Sequence, residues 1–404
     1  MKTFILTLCL VCNSLFAYIG FCTAFSTSSS SIDATGSKNI PSETSQTVKK
    51  IISDFEPRKY DPPFWVRNGH INTIFGSGEV QEKFSGKHTI PDYTRRFFDT
   101  PDGDFLAVDF LEAATPSDRT VVVLHGLESA SDAPLPSKMA LAYQAAGFNV
   151  AVMLFRGCGG LQNKTPFGYH VGFTQDLDFL LGALRRGRPA ERFYLSGFSL
   201  GGNVVCKYLG ELGAAAAGRG ILGAAVTCVP FDCTACQAAL DGPWLSRQVY
   251  SANFLKTMLP KAKYLAETYP ELGIDWEKLQ TATTIGEFDD EVIAKVFGYR
   301  DKQDYYLQNS SKQFLKDIKV PLYAINAYDD PFMDPASWPD PAEFAPAGAA
   351  PVVLEYSPFG GHCGFLHPDY DGRPDRCWLG DELARFVAHV DAAVRAGEAA
   401  AAAT

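Results

Sequence analysis

Gly197-Phe-Ser199-Leu-Gly201-Gly202 sets a serine between glycines where an apolar run, Phe193 to Leu195, gives way to a helical pattern from Leu200. A serine hydroxyl is a weak nucleophile until a base takes its proton. The base must in turn be held in one tautomer by a carboxylate. A strand, a tight G-x-S-x-G turn and a helix together present such a serine on a strained turn at the top of a sheet. The pattern occurs by chance in many proteins, so the rest of the chain must supply an acid, a base and an oxyanion site. Ala327-Tyr-Asp329-Asp330-Pro-Phe332 directly follows a later apolar run, and Phe359-Gly-Gly-His362-Cys-Gly-Phe365 follows the next one. Serine, acid and histidine therefore occur in the order Ser, Asp, His, each at the carboxyl end of a predicted strand, where open α/β sheets place their sites.

His362, flanked by glycines, is the candidate base among seven histidines. His125 lies in Leu124-His-Gly-Leu127, a turn after a predicted strand. The backbone N–H groups of Leu127 and Leu200 are the candidate oxyanion donors, and the His125 side chain is expected to be structural. His70, His88, His170, His367 and His389 read as structural or surface residues. Asp329 and Asp330 compete for the acid, since neighbours in a chain point different ways. Asp330 is chosen, because Asp-Pro-Phe-Met-Asp-Pro puts apolar residues straight after it, and Asp329 is left to cap the loop. Asp329, Asp330 and Asp334 have no histidine at ligand spacing. No metal and no cofactor are expected.

The elements that must position these groups alternate. Phe105 to Phe110, Thr120 to Leu124, Phe148 to Phe155, Phe193 to Leu195, Ile221 to Val229, Val320 to Ile325 and Val352 to Tyr356 read as strands. Between and after them, Ser137 to Gly147, Phe173 to Arg186, Leu200 to Leu212 and Trp378 to Val394 read as helices. Asp176 and Asp178 near one helix start, with Arg185 and Arg186 in its last turn, suit the helix dipole. The class is α/β, with a mostly parallel central sheet flanked by helices. The alternation breaks at Pro230. From about 231 to 316 the chain is helical and aromatic, as a cap over the strand ends would be. Trp244-Leu245, Phe254-Leu255, Met258-Leu259 and Tyr305-Tyr306 are candidates for its inner wall.

The chain has 404 residues, 46% hydrophobic and 20% charged, and a formal charge of −10. An acidic surface repels phosphate backbones, so no nucleic-acid partner is expected. The ten cysteines are scattered. Several sit inside apolar runs, as Cys206 and Cys228 do, which suits buried thiols better than a disulfide framework. Cys233-Thr-Ala-Cys236 lacks the second ligand pair a zinc site would need. Met1 to Ala24 has a basic start, an apolar core and small residues at its end, the pattern of a signal peptide. Residues 25–55, Ser/Thr-rich and acid-poor, read as a transit-like linker. Phe25 directly after the first segment points to the bipartite plastid address of algae with complex plastids, with secretion or an N-terminal membrane anchor as the alternatives. The folded domain is expected over 56–396 and a frayed tail over 397–404.

Six segments also carry a resemblance: "RNGHINTIFG", "LHGLESASDAPLPSKMA", "LFRGCGGLQNKTPFGYHVGFTQDL", "GFSLGGNVV", "INAYDDPFMD" and "GGHCGFL". Over about Pro62 to Phe386 the chain resembles the YheT group of α/β-hydrolases, relatives of animal lipid hydrolases and of plant embryogenesis-associated proteins. The resemblance implies the α/β-hydrolase fold with a helical cap. It also implies ester hydrolysis through Ser199, Asp330 and His362, by way of an acyl-enzyme, on a small-molecule ester or an acyl lipid. Arg156-Gly-Cys-Gly-Gly160 matches the group's arginine–glycine loop, read as structural. An acyltransferase would use the same triad. A non-catalytic ligand-binding member of the fold would usually lack the serine or the histidine. A monomer is expected, and a peripheral membrane contact is left open.

Overall fold

Val121 and Val123 face one side of the central sheet and Val122 and Leu124 the other, and all four are fully buried. Such a strand needs helices on both faces. The computed structural model, which describes residues 42–76, 79–344, 350–369 and 376–402, supplies them. Eight strands run β1 (Thr94–Asp99), β2 (Phe105–Leu111), β3 (Arg119–Leu124), β4 (Asn149–Leu154), β5 (Arg192–Phe198), β6 (Ile221–Thr227), β7 (Leu322–Ala327) and β8 (Val352–Ser357). Their order in the sheet is β1-β2-β4-β3-β5-β6-β7-β8. The first two pairings, β1 with β2 and β2 with β4, are antiparallel, and all others are parallel. The fold is an α/β-hydrolase fold.

One face of the sheet packs against Met139 and Tyr143 of the Pro134–Ala145 helix and against Leu383, Phe386 and Val390 of the Trp378–Ala402 helix. The other face packs against Leu177 and Leu180 of the Gln175–Gly187 helix and Val204 and Leu209 of the Leu200–Leu212 helix. Between β6 and β7 a succession of short helices and the longer Ala252–Thr268 helix form the cap. The cap has a core of its own, built from Leu255, Met258, Leu265, Phe288 and Val292.

Three differences from the sequence reading have physical causes. The linker over 25–55 ends earlier, because Ser42–Ser53 is a helix whose Ile51 and Ile52 are buried with Phe55. Phe55 meets Tyr323 and Phe386 edge-on at 5.3 and 4.8 Å. Burying a side chain of that size contributes about 2 kcal/mol toward holding the segment on the domain. His389 Nε2 donates to the Ile51 carbonyl at 2.8 Å and fixes the same segment. The last helix does not fray at 397 but continues to Ala402, since alanine is the best helix former. Strand β1 was not expected: its residues are almost all exposed, so no apolar alternation marks it. The proposed signal peptide, and the transit-like stretch up to residue 41, lie outside the described residues. Among the described residues no helix is long and apolar enough to cross a membrane.

Candidate active site

Ser199 sits between β5 and the Leu200–Leu212 helix with φ 54° and ψ −126°. A non-glycine residue adopts that conformation only when its surroundings impose it, at about 1–3 kcal/mol. The flanking glycines explain how the turn closes. A Cβ on Gly197 would lie 2.6 Å from the Gly201 carbonyl carbon. A Cβ on Gly201 would lie 2.4 Å from the Leu124 carbonyl oxygen, in β3. The elbow thus presses on both its own helix and the neighbouring strand, and only glycine fits at either contact. Ser199 itself is half-buried and faces a cavity.

The loops after β7 and β8 bring the other two candidates to it. Ser199 Oγ lies 2.9 Å from His362 Nε2, and His362 Nδ1 lies 2.8 Å from Asp330 Oδ2. A carboxylate only accepts, so Nδ1 carries the proton and Nε2 is the acceptor for the serine hydroxyl. Asp330 is 4% exposed, and its Oδ1 accepts from the Phe332 N–H at 2.8 Å. Phe332 then stacks on the His362 ring, with centroids 4.0 Å apart and planes 16° apart. Burial alone would disfavour the imidazolium, but the Asp330 carboxylate, by its charge and its hydrogen bond, outweighs this and raises the His362 pKa above its ordinary value. Asp329 points elsewhere: its Oδ1 accepts from the Gly361 N–H at 2.8 Å. It therefore braces the histidine loop without touching the ring nitrogens.

The turn after β3 carries the second candidate donor. His125 is fully buried, and its Nε2 accepts from the Phe155 N–H at 3.1 Å, so its proton is on Nδ1, which donates to the Gly126 carbonyl at 2.8 Å. Burial lowers its pKa to about 4, which keeps the ring neutral. The Gly126 carbonyl and the Leu127 N–H belong to one peptide plane. Holding the oxygen on one side aims the N–H to the other. Neither the Leu127 N–H nor the Leu200 N–H has a hydrogen-bond partner among the described residues. The latter is a first-turn donor at a helix N-terminus, where orphan N–H groups and the dipole favour negative charge.

Two groups that matter here were not singled out from the sequence. Thr73, in the Gly69–Gly76 helix of the N-terminal arm, accepts from the His362 backbone N–H at 2.8 Å and donates to the Gly69 carbonyl at 2.7 Å. Phe332 orients the imidazole face. The quoted segments containing these residues were the available signal for both. Arg156 is structural, as expected: it grips Asp176 through Nε at 2.8 Å and a terminal nitrogen at 2.7 Å, and reaches Asp102 with the other. The seven described cysteines are free thiols. Cys228, Cys363 and His362 bring possible ligand atoms within 4.8 Å of one another, but both imidazole nitrogens are already engaged by Asp330 and Ser199.

The cavity above Ser199 has a volume of about 610 Å³ and predominantly apolar walls. From the cap, Val249, Tyr250 and Phe254 line it. Among the expected inner-wall residues only Phe254 does so. Trp244 and Leu245 are exposed, Leu255 and Met258 fill the cap's own core, and Tyr305 and Tyr306 are buried against the sheet domain. An aromatic residue in a small insertion is needed first to hold the insertion together.

A family model described as alpha/beta hydrolase fold matches residues 119–366. The Escherichia coli (strain K12) protein named as an esterase, YheT, is 33% identical over 309 residues, covering 74% of this chain and 86% of that one. The mouse phospholipase ABHD3 is 28% identical over 366 residues, covering 87% and 84%. The zebrafish (Danio rerio) monoacylglycerol lipase ABHD2 is 27% identical over 323 residues, covering 76% and 74%. With the family model spanning well over half of its length and the match to the Escherichia coli protein running through most of both chains, this chain belongs to the α/β-hydrolase fold family, in its YheT-like group of carboxylic ester hydrolases.

Proposed function

We propose that the chain cleaves carboxylic esters of acyl lipids, or other medium-chain esters, through a Ser199–His362–Asp330 triad. The observation that carries this reading is the hydrogen-bonded line from Ser199 Oγ through His362 to Asp330, ending at the floor of an apolar cavity. Ser199 Oγ would attack the ester carbonyl while His362 Nε2 takes its proton. The carbonyl oxygen, now an anion, would be met by the N–H groups of Leu127 and Leu200. His362 would return the proton to the departing alkoxide and leave an acyl-enzyme. A water deprotonated by His362 would release the acid. Asp330 keeps the base in the right tautomer and stabilises its charged form.

Support for an acyl chain comes from the apolar cavity walls and from relatives named as a phospholipase and a monoacylglycerol lipase. Ser199→Ala tests the chemistry. The turn loses only an oxygen, so the protein should fold while ester turnover drops on the order of 10⁴-fold or more. Turnover within tenfold of wild type would end the triad reading. A graded ester series tests the substrate class. Each buried methylene is worth about 0.8 kcal/mol, so kcat/KM should climb severalfold per two carbons before it levels off. A flat profile would leave a general small-ester hydrolase.

A further inference from the structure

The residue that follows Leu127 is itself held in an unusual way. Glu128 has φ +57°, a left-handed conformation that side-chain-bearing residues avoid. Its backbone N–H donates to the Tyr169 hydroxyl at 2.8 Å, and that hydroxyl donates back to Glu128 Oε1 at 3.0 Å. Tyr169 is buried and stacked on Phe155, with centroids 4.8 Å apart and planes 9° apart. Phe155 is the residue whose N–H sets the His125 tautomer. The peptide plane before Leu127 is thus held through Gly126 and His125, and the plane after it through Glu128 and Tyr169. A backbone donor clamped on both sides is preorganised for an anion that exists only in the transition state.

The clamp reaches into the cap. Lys261, on the Ala252–Thr268 helix, places Nζ 2.7 Å from both carboxylate oxygens of Glu128 and 3.2 Å from the Gly157 carbonyl. Both side chains are about nine-tenths buried. A lone buried lysine or glutamate would be strongly disfavoured, so neither charge is comfortable unless the cap helix sits on the turn. The same helix contributes Phe254 to the cavity wall.

We propose that Lys261, Glu128 and Tyr169 are positioning residues for the reaction, a latch that aims the Leu127 N–H only when the cap is seated. The proposal rests on the serine-hydrolase reading above. The latch couples substrate housing to oxyanion stabilisation. Loss of any member therefore lowers transition-state binding and leaves ground-state binding of a small ester nearly unchanged.

The test uses the full chain and a short p-nitrophenyl ester. Removing an oxyanion donor outright costs about 10²–10³ in kcat, and a misaimed donor should cost roughly 10–100-fold. Lys261→Met and Tyr169→Phe should each lower kcat by that factor, with KM within about threefold. A trifluoromethyl ketone, whose adduct with serine carries an oxyanion, should lose affinity in parallel with kcat/KM. Lys261→Arg should recover most of the rate. Lys261→Met leaves Glu128 unpaired and can misfold, so Lys261→Met/Glu128→Gln, which removes both charges, and Tyr169→Phe, which removes one hydroxyl, are the deciding variants. Unchanged kcat in these two, or a lowered kcat with full affinity for the ketone, overturns the latch. Either result beside an inactive Ser199→Ala leaves the serine-hydrolase reading standing, whereas an active Ser199→Ala removes that reading itself.

Discussion

Replacing Asp330 by asparagine changes one atom, and the site has no good way to accept it. Oδ1 of Asp330 takes the Phe332 N–H at 2.8 Å and Oδ2 takes His362 Nδ1 at 2.8 Å, so both oxygens act as acceptors. A carboxamide has one acceptor and one donor end. If its oxygen stays on Phe332, its NH₂ faces Nδ1, and the imidazole must move its proton to Nε2. There it points at Ser199 Oγ and can no longer take the serine proton. If the amide flips, its NH₂ meets the Phe332 N–H, and a buried donor goes unpaired at about 1–3 kcal/mol. Loss of tautomer control costs on the order of 10⁴ in kcat, or about 5.4 kcal/mol of transition-state stabilisation. Asp329 differs in kind. Its Oδ1 accepts from Gly361 at 2.8 Å, while Oδ2 has no hydrogen-bond partner among the described residues, so asparagine can keep the one bond that exists. Asp329→Asn should stay within about tenfold of wild type. Steady-state hydrolysis of a short p-nitrophenyl ester by both variants, with thermal melts as controls, separates the two. Equal losses, or a larger loss in Asp329→Asn, would refute the assignment of Asp330 as the triad acid.

The remaining predictions concern pH, packing and the N-terminus. The Asp330 carboxylate raises the His362 pKa and only the neutral ring acts as base, so the acid limb of kcat/KM should lie above the ordinary imidazole value of about 6.5. In the residual activity of Asp330→Asn the carboxylate's charge and hydrogen bond are gone while burial still disfavours the imidazolium, so the limb should move to lower pH; a limb that stays put would mean another group sets it. Gly201→Ala forces a Cβ to within 2.4 Å of the Leu124 carbonyl and 2.5 Å of that of His125. Overpacking of that kind costs about 1–3 kcal/mol, so Tm should fall by several degrees and turnover should collapse, and a variant that matches wild type in both would contradict the elbow geometry. For the N-terminus we propose an organellar address. Residues 1–41 fused to a fluorescent protein should reach the plastid of a complex-plastid alga and Phe25→Ala should divert the fusion, whereas secretion of both would leave only a signal peptide.

The candidate triad was legible because its members follow strands of the sheet, two of which, β5 and β7, are buried on both faces. Such strands read as unbroken apolar runs, and the ends of those runs mark where side chains can converge. What was not legible lay in contacts between distant parts of the chain. Thr73 holds the His362 backbone across a separation of 289 residues, and nothing in the local pattern of a short arm helix announces that partner. The Ser42–Ser53 helix hid for a related reason: only a few apolar residues, Ile51, Ile52 and Phe55, tie it to the last helix, too few to stand out in a polar stretch. The cap was recognised by composition, which reports that its aromatics are buried but not which side they face. Trp244 is 68% exposed while Tyr305 is in the core, although both sit in the same aromatic-rich segment. The latch joins these two kinds of information. Glu128 lies in the turn that the sequence already marked as a candidate oxyanion site, yet its partner Lys261 is one of several lysines along a cap helix and only the fold selects it. Chemistry placed at strand ends can therefore be read locally, whereas the precision of that chemistry depends on pairings made by the fold. Variants at Lys261 and Tyr169 should accordingly leave the triad's own hydrogen bonds in place and still slow the reaction.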